Sequence, residues 1–513
     1  MNRTFLALGA TIATVAVAAA PAGATAPLAQ EQGVTHVEQI PINGSVGANF
    51  KTYADGRTYM FVTGTAGSPK TDPGLLTQID YGGLWVYDVD DAEHPKLVSH
   101  LPLPHYENED VSLGGNRLLI SGDGTLGASN LAVIDIADPA FPKIEKIVNN
   151  QIGGAGHTAT CIQDCKYAWV AGAASIAVLR LDEAAQLPLD DHTGGVLPGV
   201  QVQASESKVE AGDLALVREF GWSTHDVQVD DAGYAWVVGG NGTVAFDTRP
   251  GHYGEDNLLT PAVVARTGPD ALNSGGDSGL GPDGSTVNDF IHHNSWHPDA
   301  NALVSRADDD LADDTVRPGE KLLVTEEDIW DRKTAATTRG GCETQGSFQT
   351  WQVKQLKTTD QDTATVKFLD DWTTEFNAGL AQDPTGLSKL VLNGGFCSSH
   401  YFDEQDGIVA TAWYEQGTRI LDTRDPRHIK QIGYFMAPDS VVWAAYWAPT
   451  GKDVIYVLDH QRGIDVLKVG AGGSVAKRKR VVAPLAKWWR KSKKALAAEN
   501  ASLKFGWACR LAL

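Results

Sequence analysis

The chain has 513 residues, of which 42% are hydrophobic and 21% are charged. This composition excludes a globally disordered protein and permits a large hydrophobic core. The formal net charge of −22 argues against nucleic acid as a partner, because binding to phosphates requires a basic surface. A chain of this length could form two or three average domains or one large repeat domain.

Residues 1–24 have the features of a secretory signal peptide. Arg3 provides a short positive region, an apolar run follows over residues 5–20, and residues 22–24 (AGA) have the form of a cleavage site. A membrane anchor is the alternative, but the apolar run is shorter than the ~20 residues that a spanning helix needs. We therefore expect the protein to be secreted and to act outside the cell or at its surface.

Five cysteines in a chain bound for an oxidising compartment predict disulfide bonds. Their positions suggest two pairs and one residue left over: Cys161–Cys165, Cys342–Cys397 and Cys509. A metal site that joins the first pair to the nearby His157 is the alternative.

Residues 35–469 contain seven repeated units. Each begins with an alternating strand, continues through a turn, and ends in a buried apolar strand. The pattern is clearest in residues 154–172 (GAGHTATCIQDCKYAWVAG) and 221–240 (GWSTHDVQVDDAGYAWVVGG). Several short strands per unit without a helical pattern predict an all-β fold, a seven-bladed β-propeller. Irregular fourth strands in the third to fifth units leave six to eight blades open, and a β-sandwich array is the alternative fold.

The last unit, which ends at Val469, lacks an outer strand. Residues 35–41 (THVEQIP) form an isolated strand ahead of the first unit. We expect this N-terminal strand to complete the last blade and so to close the ring between the two ends of the chain.

Three unit ends share a distinctive pattern of an apolar strand followed by an acidic, proline-containing turn. They are residues 84–98 (LWVYDVDDAEHPKLV), 131–144 (LAVIDIADPAFPKI) and 418–432 (TRILDTRDPRHIKQI). These segments resemble the LVIVD repeat of secreted bacterial proteins, and the resemblance extends more weakly over residues 36–469. It implies a propeller and a secreted or surface location. It implies no particular activity and no catalytic residue.

In a propeller the first strand of each blade lies innermost, and its leading residue faces the central channel. Aligning the seven unit beginnings places one residue of each at this position: Asn49, Glu109, His157, His225, His293, His400 and Ala444. The four imidazoles could bind copper, iron or zinc, with the amide and the carboxylate as auxiliary groups. The alternative is structural, because a histidine that caps a strand or bonds the next blade would be duplicated with the repeat.

Other polar groups have weaker patterns. Residues 326–328 (EED) could orient an imidazole or form a turn. His292 should point away from the channel, because successive side chains of a strand alternate between its two faces. The acidic insertions 270–289 and 307–320 are solvated loops or, as the lesser alternative, calcium sites.

The composition changes over residues 470–513. Residues 471–513 contain eleven basic residues and one acidic residue. Because this segment contributes +10 and Arg3 contributes +1 to the total of −22, the rest of the chain carries about −33. With Trp488 and Trp489 the segment could form a helix that binds an anionic cell-envelope polymer or a membrane surface. A disordered tail, or one docked on the acidic body, is the alternative.

Two functions follow from these patterns. The first is a secreted or cell-surface propeller that acts as a binding scaffold, with a four-histidine metal site on its axis. The alternative is a metal-dependent oxidoreductase or hydrolase that uses the same histidines as ligands.

Overall fold

A computed structural model describes the following residues: 30–42, 44–64, 82–103, 111–122, 130–149, 156–172, 176–181, 214–217, 224–240, 242–250, 262–267, 291–306, 315–327, 330–331, 336–337, 346–357, 366–374, 398–437 and 440–470. Several predicted features lie outside these residues: the segments 1–24, 270–289 and 471–513, together with Glu109, Asp328, Cys342, Cys397 and Cys509.

The described chain begins with two strands and then forms three blades, each an antiparallel four-stranded sheet in sequential order. The two N-terminal strands are β1 (Gln30–Gln32) and β2 (Val34–Ile40). Blade 1 contains β3 (Ser45–Thr52), β4 (Thr58–Gly64), β5 (Gly83–Asp88) and β6 (Lys96–Pro102). Blade 2 contains β7 (Val111–Gly114), β8 (Arg117–Gly122), β9 (Asn130–Asp135) and β10 (Lys143–Asn149). Blade 3 contains β11 (Ala159–Ile162), β12 (Tyr167–Val170), β13 (Ile176–Arg180) and β14 (Leu214–Val217).

Four more blades follow, and the fifth carries a short helix and a small hairpin as insertions. Blade 4 contains β15 (Thr224–Val229), β16 (Tyr234–Gly239), β17 (Gly242–Asp247) and β18 (Val263–Arg266). Blade 5 contains β19 (Ile291–Trp296), α1 (Ala300–Val304), β20 (Lys321–Glu327), the hairpin β21 (Trp330–Asp331) and β22 (Ala336–Thr337), then β23 (Ser347–Val353) and β24 (Val366–Trp372). Blade 6 contains β25 (Phe402–Gln405), β26 (Ile408–Ala412), β27 (Thr418–Asp422) and β28 (Lys430–Met436). Blade 7 contains β29 (Val442–Trp447), β30 (Val454–Asp459) and β31 (Gly463–Val469).

The first strands of the blades form a closed inner ring. Each contacts the first strand of the next blade, and β29 of blade 7 contacts β3 of blade 1. This arrangement confirms the predicted seven-bladed propeller, and it excludes the sandwich array, which has no such ring.

The hydrophobic core is divided among the spaces between blades. Seven apolar clusters of buried residues lie between successive blades around the whole ring. A middle strand therefore packs on both faces, and all six residues of β16 (YAWVVG) are buried. This two-sided burial explains why these strands are continuously apolar in sequence and do not alternate.

The N-terminal strand closes the ring as predicted. The strand β2 pairs antiparallel with β31 and forms the fourth strand of blade 7. A second N-terminal strand was not predicted: β1 pairs with β28 and gives blade 6 a fifth strand. The chain crosses from blade 6 to blade 7 at Gly33, whose φ is +70°.

Candidate metal centre

A β-bulge at the start of the inner strand directs one residue of each of several blades toward the axis. In β15 and β19 the pairing register skips His225 and His293. In blade 3 the backbone N–H groups of Gly156 and His157 both donate to the carbonyl oxygen of Ala171. A bulged residue leaves the ladder, and its side chain is re-aimed. These bulges turn the histidines of three consecutive blades in the same direction.

The structure brings the four predicted imidazoles into one continuous buried row. The ring centroids of His157 and His225 lie 4.5 Å apart, those of His225 and His293 lie 3.8 Å apart, and those of His293 and His400 lie 4.0 Å apart. Each of the four residues is at most 1% exposed. The four histidines that the alignment placed at equivalent positions are therefore neighbours in the folded protein.

In two of the imidazoles, Nδ1 forms a hydrogen bond with the neighbouring blade. His225 Nδ1 lies 2.9 Å from the carbonyl oxygen of His293, and His400 Nδ1 lies 2.6 Å from that of Trp443. A carbonyl oxygen only accepts, so each Nδ1 carries a proton, and in a neutral ring Nε2 then has a lone pair. Such a bond from Nδ1 to a carbonyl is how metal-binding histidines are oriented in proteins.

The Nε2 atoms of His157 and His225 lie at a distance from each other that suits a shared ion. His157 Nε2 and His225 Nε2 are 3.0 Å apart. Two nitrogens bound at about 2.1 Å to one ion, about 90° apart as in octahedral or square-planar coordination, would lie about 3.0 Å from each other. Without an ion, an N–H of His157 would donate to the lone pair of His225. The distance of 3.0 Å therefore suits either a shared ion or a hydrogen bond between the two rings.

A carboxylate that the sequence placed outside the ligand set belongs to this cluster. One donor atom from each of His225, His293 and Glu327 lies within 4.8 Å of the others, and all three residues are fully buried. His293 Nε2 is 3.9 Å from Glu327 Oε2. An ion about 2.1 Å from each could bridge up to about 4.2 Å, so this pair is already within span. Burying a carboxylate is costly unless a cation or hydrogen bonds compensate it.

The second oxygen of this carboxylate is bonded to a tyrosine. The hydroxyl of Tyr414 donates to Glu327 Oε1 at 2.6 Å, and the tyrosine ring lies 4.8 Å from that of His400. On the same side, Trp443 lies 4.8 Å from His400 and forms a buried apolar cluster with Tyr414 and Val46. The row of imidazoles is therefore bordered by aromatic and apolar side chains from blades 6, 7 and 1.

The structure corrects the alignment in two blades. The register skips Val46 in β3 and Trp443 in β29, so these residues match the histidines, and Asn49 and Ala444 do not. The side chain of Asn49 donates to the carbonyl oxygen of Val111 in blade 2, and Ala444 is part of an apolar core. The alignment failed there because it counted strand residues without allowing for a bulge, which adds one residue to one strand.

His292 points away from the row, as the alternation predicts. Its Nδ1 lies 2.7 Å from Thr243 Oγ1, and its ring lies 5.7 Å from that of Trp351. Burial lowers the pKa of His292 to about 3, because the charged form would lose its hydration. This histidine is therefore a neutral packing residue between blades 4 and 5.

The predicted bond between Cys161 and Cys165 is present and spans the turn between β11 and β12. Both sulfur atoms are used in that bond, and His157 faces His225. The alternative metal site that joined these three residues is therefore not formed.

A signal for Glu327 and Tyr414 was present in the repeat. In blades 4, 5 and 6, the second residue after the histidine pairs with Val237, Val324 and Thr411 respectively. Three residues beyond these partners lie Gly240, Glu327 and Tyr414. A carboxylate and a phenol thus occupy a position that is glycine in the clearest unit, and this departure could have marked both residues.

Comparisons with known proteins find only distant likenesses and add no function. No protein-family model matches the chain, and no curated protein matches it either, so the resemblance to the LVIVD repeat stays a prediction. Among solved structures, the chain is similar to the β-propeller domain of Myceliophteria thermophila Cps50 (Swd1). The identity is 12%, the match covers 85% of this chain and 100% of that chain, and the TM-score is 0.48.

A second similar structure is a presumed 6-phosphogluconolactonase of Bacteroides uniformis. It is 10% identical over 80% of this chain and 94% of that chain, with a TM-score of 0.40. Both likenesses are distant, so the assignment of the propeller rests on the sheet order of this chain. Fold and site together define a seven-bladed β-propeller with a buried His–His–Glu cluster at its axis.

Among the residues that the structure describes, no helix has the length and apolar character needed to cross a membrane.

Proposed function

We propose that the protein is a metal-dependent oxidoreductase whose centre lies on the propeller axis. The observation that carries the proposal is the buried cluster of His225, His293 and Glu327, whose donor atoms lie within 4.8 Å of one another. His157 is the fourth ligand in this proposal, since its Nε2 is 3.0 Å from that of His225. The fourth histidine of the row, His400, borders the centre through its contact with His293.

Iron is the first candidate among iron, copper and zinc. His225, His293 and Glu327 match the two imidazoles and one carboxylate of non-haem iron(II) oxygenases, and His157 would occupy one of the further positions, which leaves others open for small molecules. Zinc and copper also accept imidazole, and zinc would make a hydrolase the appropriate reaction class. The oxidisable side chains of Tyr414 and Trp443 beside the row favour a redox-active ion in this proposal.

The test is elemental analysis of the purified, untagged protein beside a His225→Ala/His293→Ala double variant. We expect near-stoichiometric metal in the native protein and its loss in the variant, because two ligands are removed. The matched control is His292→Gln, which changes a buried neighbour that faces Thr243. Metal content that is equal in the native protein and the double variant, or no metal even after loading with iron, copper or zinc, would contradict the proposal.

The second candidate is an interaction role, which a β-propeller scaffold fits. We infer secretion from the segment 1–24 and attachment to an anionic envelope polymer or membrane surface from the segment 471–513, whose net charge is opposite to that of the body. Deleting residues 471–513 should release the protein from envelope material at low salt, where charge attraction is strongest. Unchanged retention of the shortened protein would contradict this attachment.

A further inference from the structure

Tyr414 places an oxidisable phenol beside the candidate metal centre. Its hydroxyl donates to Glu327 Oε1 at 2.6 Å, and the other oxygen of this carboxylate is 3.9 Å from His293 Nε2. A single carboxylate therefore connects the phenol to the proposed ligands. Tyr414 is 1% exposed and Glu327 is 0% exposed, so both groups are buried.

The backbone holds this tyrosine in a conformation that bulky residues rarely adopt. The φ of Tyr414 is +35°. Its carbonyl oxygen accepts the N–H groups of Gly417 and Val442, at 3.1 and 3.0 Å, and these bonds hold the backbone in place. Such strained residues persist only where the surroundings impose them, and they cluster at functional sites. The outlier therefore supports a functional role for the position of the hydroxyl.

Further aromatic rings surround the phenol. The ring of Tyr414 lies 5.4 Å from that of Trp443, which in turn lies 5.4 Å from that of His460. Burial lowers the pKa of His460 to about 4, so this ring stays neutral. A radical on the phenol of Tyr414 would thus lie among buried, uncharged rings, away from solvent.

We propose that Tyr414 is a redox-active residue that supplies one electron to a peroxide substrate through the metal ion. This inference rests on the proposed metal centre. Hydrogen peroxide takes up two electrons and is reduced to two water molecules. A bound ion would supply one electron and rise in charge by one, and Tyr414 would supply the other and become a neutral radical. The reduction consumes two protons: the phenolic proton, which leaves through Glu327, and one proton from solvent.

The carboxylate makes this step feasible in a buried site. A phenol that loses an electron must also lose its proton, so it needs a base within hydrogen-bond reach. Glu327 meets that requirement at 2.6 Å. Tyr401 provides a matched control, since its ring lies 4.9 Å from that of His293 and 5.0 Å from that of His400. Tyr401, like Tyr414, contacts the row of histidines. The hydrogen bond to Glu327 is formed by Tyr414.

The experiment compares iron-loaded native protein with Tyr414→Phe and Tyr401→Phe. The iron content of each sample is measured first, one equivalent of hydrogen peroxide is added, and the frozen samples are examined by electron paramagnetic resonance. We expect an organic radical in the native protein and in Tyr401→Phe. In Tyr414→Phe we expect a loss of about tenfold or more in radical per bound iron, as for other residues that act beside metal ligands.

Each outcome has a distinct meaning. A native protein that binds no iron would overturn both the metal centre and this inference. Iron binding without a radical, or equal radical per iron in Tyr414→Phe, would overturn the role of Tyr414 and leave the metal centre standing. If Tyr414→Phe does not retain iron, the native radical is trapped with a nitroso compound and located by peptide mass spectrometry. An adduct on Tyr414 supports the proposal, and an adduct on another residue overturns it.

Discussion

At the scale of single residues, Asp403 shows how a buried carboxyl group connects two blades. Its Oδ2 accepts the backbone N–H of Trp447 in blade 7 at 2.8 Å, and its Oδ1 accepts that of Glu404 at 2.7 Å. Burial nevertheless raises the pKa of Asp403 from 3.8 to about 6, because the charged form loses its hydration. The group therefore makes the stability of the contact between blades 6 and 7 dependent on pH.

We predict that the contribution of Asp403 to the free energy of unfolding falls as the pH rises from about 4 to about 6, while the lowered pKa values of His292 and His460 contribute in the opposite direction. The folded protein holds the proton of Asp403 more tightly than the unfolded chain, so this contribution is present below the unfolded pKa and is lost through the folded pKa. A difference of about two pKa units corresponds to about 3 kcal/mol. Urea unfolding of both proteins should show that the native protein loses stability relative to Asp403→Asn as the pH rises through this range, since the histidine contributions are common to both.

A residual slope in this variant is expected from Asp459, since burial also raises its pKa to about 6. The double variant Asp403→Asn/Asp459→Asn should therefore gain the most stability, relative to the native protein, as the pH rises. A difference in unfolding free energy between the native protein and Asp403→Asn that stays constant between these pH values would contradict the prediction.

At the scale of elements, the link between β1 and β2 decides how the chain passes from blade 6 to blade 7. Gly33 has φ +70°, and a Cβ added there would lie 2.7 Å from the carbonyl oxygen of Ile432. In β28, Gly433 lies equally close to the chain, since a Cβ on it would be 2.7 Å from the carbonyl oxygen of Gln32. Glycine thus allows β1 to approach the edge of blade 6, which a side chain at either position would prevent.

We predict that Gly33→Ala lowers the free energy of unfolding by about 2 kcal/mol or more, because it adds a steric clash to the cost of a positive φ. Gly56→Ala is the matched control: its φ is +86°, but a Cβ added there meets nothing within 4 Å. The control should show the cost of the backbone alone, about 1 kcal/mol. Thermal and urea unfolding measure both variants. Equal losses would mean that the approach of β1 does not contribute to stability.

At the scale of the whole molecule, residues near both ends of the chain meet in blade 7. Beyond the pairing of β2 with β31, His36 Nε2 lies 2.7 Å from the buried Asp465 Oδ1, and Arg462 bonds the same carboxylate through both of its oxygens. Without β2, the edge of β31 would lose its partner strand, and this carboxylate would lose the contact with His36 while the bonds from Arg462 remain. The ring would then end in an open sheet edge, which is prone to pair with other chains.

We predict that removing residues 1–40 lowers the midpoint of thermal unfolding strongly and promotes association, whereas removing residues 1–29 does not, because the shorter deletion retains both N-terminal strands. A synthetic peptide covering residues 30–42 should restore part of the loss by binding the folded state. Differential scanning calorimetry and light scattering measure these effects. A stable, monomeric protein without residues 1–40 would show that closure by β2 is not required.

The fold was predictable because its signals are local. Apolar runs, turns and the strand-opening histidines recur within each unit, so seven blades and the closing strand followed from residues 35–469 alone. The strand β1 was not predicted because its three polar residues (QEQ) have no such pattern. They form a strand only by pairing with the edge of blade 6.

The sequence by itself determined that four histidines occupy one repeated position, since this needs only the regular spacing of the units. The tertiary structure decided which groups meet them. The bulges shift the matching residues to Val46 and Trp443, and they aim the histidines at the carboxylate of Glu327. A bulge changes the direction of a side chain through the pairing of two strands, and contacts across the axis join residues far apart in the chain. Neither property is encoded in local periodicity, which is why the ligand set emerged only from the folded molecule.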